Sequence, residues 1–233
     1  RTFRKFIWGE AKGYEPVEIQ LNGKVVKAFD PLFVNKKLTG FESEPAAVLL
    51  PTQIISWSIP NEVNSNKQKS EILIKISLLP DEYRRDVGQG GDKFTKERFI
   101  HENEGVSILR NDREVFYGHI PYTPKLGSSE ADQNVNRFIG CEICFDAELD
   151  LEFEVKNIKR GAKPVRELKE KIVEQIAPTF RSLREQIRNR WNERKRVDES
   201  NTTDQNSGIG VSGTHSTTNK FLKETKVTLL KNN

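Results

Sequence analysis

At 233 residues the chain is long enough for one large or two small domains with a real core. Charged residues make up 31% and hydrophobic residues 35%, and 38 basic against 34 acidic side chains leave a net charge of +4 and a pI of about 8.9; that excess is too mild, alone, to demand a nucleic-acid partner. No signal peptide is found, nor an apolar run of the roughly 20 residues that a bilayer crossing needs, and two cysteines fit a reducing compartment rather than a disulfide framework, so a cytoplasmic protein with no membrane partner is expected.

Methionine is absent, even at position 1. The sequence is therefore read either as a piece of a longer chain or as one from which methionines have been lost. Arg1 to Glu10 is basic and aromatic, with Phe3, Phe6 and Trp8 among polar residues. Glu18 to Phe29 predicts a hairpin: Ile19 and Leu21 alternate before Asn22-Gly23, and Val26 and Ala28 after it. Asn-Gly supplies the two positive-φ positions of a type I′ turn. Asp30-Pro31-Leu32-Phe33 breaks that pattern, and Phe41 to Leu50 reads as a connector. Thr52 to Ile59 and Ser70 to Leu79 are predicted strands, the second with Ile72, Ile74, Ile76 and Leu78 on one face.

Asp81 to Arg98 is charged, with Gly88-Gln89-Gly90-Gly91 inside it, and Phe94 to Ile100 is compatible with a short helix. Gly105 to Arg110 and Glu114 to Gly118 predict a second hairpin around Asn111-Asp112, and Pro121 to Asn136 a polar loop. Arg137 to Phe145 alternates as a core strand with Glu142 in its middle. An acidic segment, Asp146 to Val155, and a basic loop, Lys156 to Lys163, come next. Lys163 to Val197 then carries a helical stripe of Leu168, Ile172, Ile176, Phe180, Leu183, Ile187 and Trp191. Pro178 interrupts it, so two helices or one bent helix is expected. Asp198 to Asn219 is rich in Ser, Thr, Asn and Gly and reads as a flexible linker. Phe221 to Lys231 is a short amphipathic piece.

Several motifs carry less than they promise. Cys141-Glu142-Ile143-Cys144 matches CxxC, but residues three apart on a strand face opposite ways, so no shared metal or redox pair is expected. His101, His119 and His215 lack metal-ligand spacing. Gly88 to Gly91 has no following Lys-Ser/Thr, so it is not a phosphate loop. Arg181, Arg184, Arg188, Arg194 and Lys195 crowd one helix. Arg181, Arg184, Arg188 and Lys195 recur at helical spacing and could meet a nucleic-acid backbone, or form an ordinary solvated face. No interleaved aromatics suggest base stacking.

Four stretches carry a family resemblance: the hairpin followed by Asp30-Pro31-Leu32, the string Asn103 to Val115 (NEGVSILRNDREV), the strand bearing Glu142, and Asn157-Ile158-Lys159-Arg160 before a helix that Trp191 is read as closing. Together these resemble the GHKL ATPases, the gyrase, chaperone, histidine-kinase and MutL superfamily, and most of all its MORC-type and related bacterial members. In those, the loop reads His/Asn-Asn-Lys-Gln; here Ile158 stands for the usual Asn and Arg160 for the usual Gln.

The resemblance implies an α+β transducer domain of the type of the second domain of ribosomal small-subunit protein five, with a mixed, mostly antiparallel sheet covered by helices. Residues 1–39 would be the tail of a Bergerat ATP-binding domain, 40–197 the transducer, and 198–233 a linker and C-terminal segment. It also implies that Lys159 reaches the γ-phosphate of ATP, with Arg160 beside it and Lys156 or Lys163 as alternatives in register. A compact ammonium on a long stem suits that task. From composition alone, the same loop is a solvated basic connection. The family's ATP motifs, an Asp-x-Gly-x-Gly turn among them, do not occur in the chain, so ATP and magnesium are expected only in a full-length protein. Expected partners are its N-terminal ATP-binding domain, a second copy on dimer closure, and nucleic acid in DNA-related work. A stand-alone nucleic-acid-binding module and a protein-interaction module are the competing readings.

Overall fold

In the computed structural model the described residues are 1–59, 68–86, 91–118, 135–155 and 162–206. They fall into two compact units, Arg1–Asn192 and Glu193–Asn233. In the first unit, β1 (Gln20–Leu21) and β2 (Lys24–Val25) form a small antiparallel ribbon. Asn22 and Gly23 turn it at φ 51° and 73°, as the Asn-Gly pair predicts.

The main sheet grows around β5 (Gln68–Leu78). Strands β3 (Val48–Leu49) and β4 (Gln53–Ile59) both lie antiparallel to β5, pairing with successive stretches of it. On its other side comes β8 (Ile139–Phe145), antiparallel to β5, then β6 (Val106–Arg110), parallel to β8, then β7 (Arg113–Gly118), antiparallel to β6. The fold is α+β with a mixed, mostly antiparallel sheet. Asn111 and Asp112 turn the β6–β7 hairpin at φ 44° and 63°. Short Asx side chains tolerate that left-handed region better than other residues with a Cβ.

The period-2 pattern divides the sheet into two unlike faces. Ile55, Ile72, Ile74, Ile76, Ile108, Ile139, Cys141 and Ile143 belong to one continuous buried cluster. Helix α3 (Arg166–Asn206) supplies Leu168, Ile172, Ile176, Phe180, Leu183 and Ile187 to it, all less than 9% exposed. Full burial of each such side chain contributes about 1.5–3 kcal/mol. Pro178 does not divide the helix. It lies on the exposed side, as does Glu174, so water can satisfy the carbonyl that loses its proline partner.

Lys75, Ser77, Ser107, Gly140 and Glu142 point to the second face. The N-terminal segment lies against it. A Cβ on Gly140 would come within 2.4 Å of Ser77 Oγ and 2.7 Å of the Pro31 carbonyl, so only glycine lets the Pro31-Leu32 backbone pass so close. The Ser77 hydroxyl donates to the Leu32 carbonyl at 2.7 Å. Helix α1 (Arg4–Trp8) is tied down next to it, with Arg4 fully buried. Residues 1–39 are thus part of the same compact unit as the sheet.

The expected linker at Asp198 begins as helix, since α3 runs to Asn206. Extending a helix that is already packed fixes one residue per hydrogen bond, whereas starting one is costly. Polar composition therefore did not end it. Within the second unit Lys195 and Glu199 face each other at 3.9 Å, and the Ser200 hydroxyl donates back to the Val197 carbonyl at 2.8 Å. The rest of the expected linker, and Phe221 to Lys231, lie outside the described residues. A short helix α2 (Lys93–Glu97) falls where one was expected, capped by Asp92, which accepts from the Thr95 amide at 2.8 Å. No helix among the described residues is long and apolar enough to cross a membrane.

Candidate functional site

Two places near β8 concentrate chemistry. The first is the middle of the strand. Glu142 is 0% exposed and accepts from Arg4 Nη2 at 2.6 Å. Lys75 Nζ and Lys5 Nζ stand 3.5 and 3.7 Å from its other oxygen. Arg4, also 0% exposed, donates in addition to Glu114 at 3.0 Å and to the Ser107 hydroxyl at 2.8 Å. Ser107 in turn donates to Glu114 at 2.7 Å, and Arg1 donates to Glu114 at 2.8 Å.

Burial acts to raise the carboxyl pKa of Glu142. Arg4 first, then Lys5 and Lys75, more than offset that and hold it below the ordinary carboxylate range. Burial likewise acts against the Arg4 charge, but Glu142 and Glu114 outweigh it and raise the guanidinium above its ordinary value. A carboxylate so held stays ionised and is a poor proton acceptor at neutral pH. Its work is to clamp the N-terminal helix to the sheet.

The second place is the foot of the basic loop. The Lys163 amide donates to the Phe153 carbonyl at 2.7 Å, and the Val165 amide to the Glu152 carbonyl at 2.8 Å. Phe153 is fully buried and stacks on Phe145, the last residue of β8, with ring centroids 3.8 Å apart and 5° between planes. Nearby, Arg110 grips Asp150 at 2.5 and 2.7 Å, and the Ala147 amide donates to Asn111 at 2.9 Å. Glu152 and Phe153 are thus joined to Lys163 and Val165 beside the end of β8 and the start of α3. Lys163 sits at that point and is exposed. Lys156, Lys159 and Arg160 lie outside the described residues.

The other candidates scatter. Arg184 is 5% exposed and donates twice to the Asn136 carboxamide oxygen, at 2.8 and 2.6 Å. Burial pushes its pKa down to about 10, which leaves it charged at neutral pH. It therefore does not join Arg181 and Arg188, which are exposed, in one outward stripe. In the second unit Arg194 is half-buried and Lys195 exposed. Cys141 and Cys144 are free thiols on opposite faces of β8. Cys141 lies in the apolar cluster, where burial pushes it up to about 12, and Cys144 donates to Glu142 at 3.4 Å. Such thiols stay protonated and unreactive. No group of three or more His, Cys, Asp or Glu suited to a metal occurs among the described residues. His101 stands beside Glu102 at 3.3 Å; His119 and His215 lie outside the described residues.

The role of Arg4 and Glu114 was invisible in sequence. Nothing local distinguishes a basic residue near the start of a chain from a solvated one, and its partners Glu114 and Glu142 are 110 and 138 positions away. Comparison of the chain with protein-family models, with curated proteins and with solved structures gave no match.

Proposed function

We propose that this chain is the coupling portion of a GHKL-type ATPase, a transducer that converts ATP binding in an N-terminal domain into movement or dimer closure. The reading rests on the four sequence likenesses, and one geometric observation supports it. The described residues that flank the basic segment are held together: buried Phe153 stacks on the end of β8, and its carbonyl accepts from the Lys163 amide. Flanks held in this way suit a connection that presents an ammonium to a phosphate with more precision than a free tail would have. In the proposal Lys159 is that ammonium, with Lys156 and Lys163 as alternatives. ATP and magnesium are bound by the preceding domain. The lysine favours the closed state by the difference between its contacts with water and with the γ-phosphate.

Two measurements test it. The reading frame upstream of Arg1 is expected to encode an Asp-x-Gly-x-Gly turn. In the protein carrying that domain, Lys159→Ala is expected to lower ATP turnover by about 100-fold or more while nucleotide affinity stays nearly intact, as for loss of an interaction made only in the transition state. Full turnover in Lys156→Ala, Lys159→Ala and Lys163→Ala alike would reduce the loop to a solvated connection and remove the chemical basis of the proposal.

A further inference from the structure

Away from both places, the loop after β2 and the residues around α2 enclose a pocket of about 320 Å³. Its wall is aromatic: Phe29, Phe33, Phe41, Tyr83 and Phe99. Phe29 meets Phe33 and Phe99 edge to face, at 5.4 and 5.5 Å between ring centroids. Its polar lining is mainly cationic, with Lys27, Lys36 and Arg98. Concave, mostly apolar sites with a few placed polar groups are the usual form of small-molecule pockets, which run from roughly 300 to 1,000 Å³. This one is at the small end, suited to one or two fused rings and too small for a nucleoside triphosphate.

Two backbone positions in the wall are held against their preference. Phe33 and Phe99 have φ of 55° and 56°. Phe99 directly follows the C-cap of α2, with its amide on the Lys96 carbonyl and the Ile100 amide on the Thr95 carbonyl. That is the Schellman arrangement, in which glycine is the ordinary occupant. A phenylalanine there, 50% exposed, turns a large ring toward the pocket at the expense of backbone comfort. Such local strain gathers where a ligand is held.

The cations differ in what they have left to offer. Arg98 spends its fork on Glu44 and also donates to the Phe94 carbonyl at 3.1 Å. Lys36 donates to the Tyr83 hydroxyl at 2.8 Å and lies 4.8 Å from the centre of that ring. Tyr83 in turn donates to Glu44, so Lys36 reaches that carboxylate through the hydroxyl. Its ammonium is half-buried, and burial holds it below the ordinary lysine range. The one acid in the lining, Asp30, is occupied: its carboxylate accepts from the amides of Leu32, Val34 and Asn35 at 2.8–3.0 Å. Amide hydrogen bonds leave the charge of Asp30 in place, and Glu44 pairs Arg98, so the three cations Lys27, Lys36 and Arg98 stand against these two carboxylates and an incoming anion would meet a surplus of one positive charge.

We propose that this pocket binds a small planar aromatic acid, its ring among Phe29, Phe33 and Phe99 and its acid group on Lys36, with Lys27 at the rim. The inference goes beyond the coupling role and does not depend on it. Calorimetric titration of the full chain with 2-naphthoate and with its uncharged amide, 2-naphthamide, tests it. The acid is expected to bind saturably at one site, about tenfold or more tighter than the amide. Lys36→Met is expected to erase that difference, and Phe99→Ala to weaken both ligands. Both residues are partly exposed, and an unchanged thermal transition would show that each variant is folded. Lys93→Ala, whose side chain is 89% exposed and outside the pocket, is expected to leave binding unchanged. Absence of saturable binding below about 1 mM, equal affinity for acid and amide, or a difference that survives Lys36→Met would overturn the proposal.

Discussion

Glu142 and Arg4 are each 0% exposed and pair at 2.6 Å, although the buried Arg4 Nε has no hydrogen-bond partner among the described residues. Removing one partner of such a pair leaves a buried charge, so Arg4→Ala is expected to cost about 3–5 kcal/mol in a urea melt. A loss below about 1 kcal/mol would mean that Lys5 and Lys75 alone compensate Glu142. The same pair sets an acid limit on stability. The folded carboxyl lies below its ordinary value, so the unfolded chain binds more protons as pH falls through the unfolded value of about 4.3. The contribution is complete above that value and is lost as pH falls toward the folded one. Glu44, lowered chiefly by its hydrogen bonds from Arg98, acts in the same sense, whereas burial raises Asp30 and makes it act in the opposite sense. Comparing urea midpoints at pH 7 and pH 4 in wild type and Glu142→Gln isolates the residue. The variant is expected to be less stable at pH 7 and to lose less between the two values; parallel losses would remove Glu142 from the acid limit.

At the level of elements, the strands and turns were legible because their signals are local. Alternation marked Ile72 to Leu78, and Asn-Gly and Asn-Asp marked the two positive-φ turns. The stripe from Leu168 to Ile187 was legible for the same reason, and it faces the core as its spacing implies. Leu183→Ala is expected to cost about 2–5 kcal/mol, since Leu183 is 6% exposed in that stripe; a change under roughly 0.5 kcal/mol in the same urea assay would place the stripe at the surface. The end of α3 was illegible, because propagation from a packed segment overrides the weak propensities of Ser, Thr and Asn. The two sheet faces were half legible. Isoleucines announced the buried face, but nothing in Lys75 or Glu142 announced that the other face is also covered. In the candidate loop, sequence pointed to the lysines; the Phe145–Phe153 stack that anchors it reads in sequence only as two more apolar residues.

For the molecule as a whole, the covering of the second face by residues 1–39 is the organising fact. A chain starting at Gly40 would expose Glu142, Glu114 and Gly140 to water and leave the sheet with one covered face. It is expected to lose the cooperative urea transition of the full chain, measured by tryptophan fluorescence and by circular dichroism together. Two coincident, cooperative curves for the shortened chain would show instead that the sheet and α3 stand without the N-terminal segment.

The Arg4–Glu142 contact also has a history in time. Its partners are 138 residues apart, a length that a ribosome extends in roughly 7 to 28 seconds at about 5–20 residues per second. In the later part of that interval, between the synthesis of Leu78 and that of Ile139, β5 exists without the strand that completes its pairing, and the isoleucine row waits uncovered. The native order of the sheet puts the late strand β8 between two early ones. The newborn chain must therefore leave β5 and β6 without their shared neighbour until residues 139–145 arrive, and such non-local pairing is intrinsically slow and exposed to aggregation.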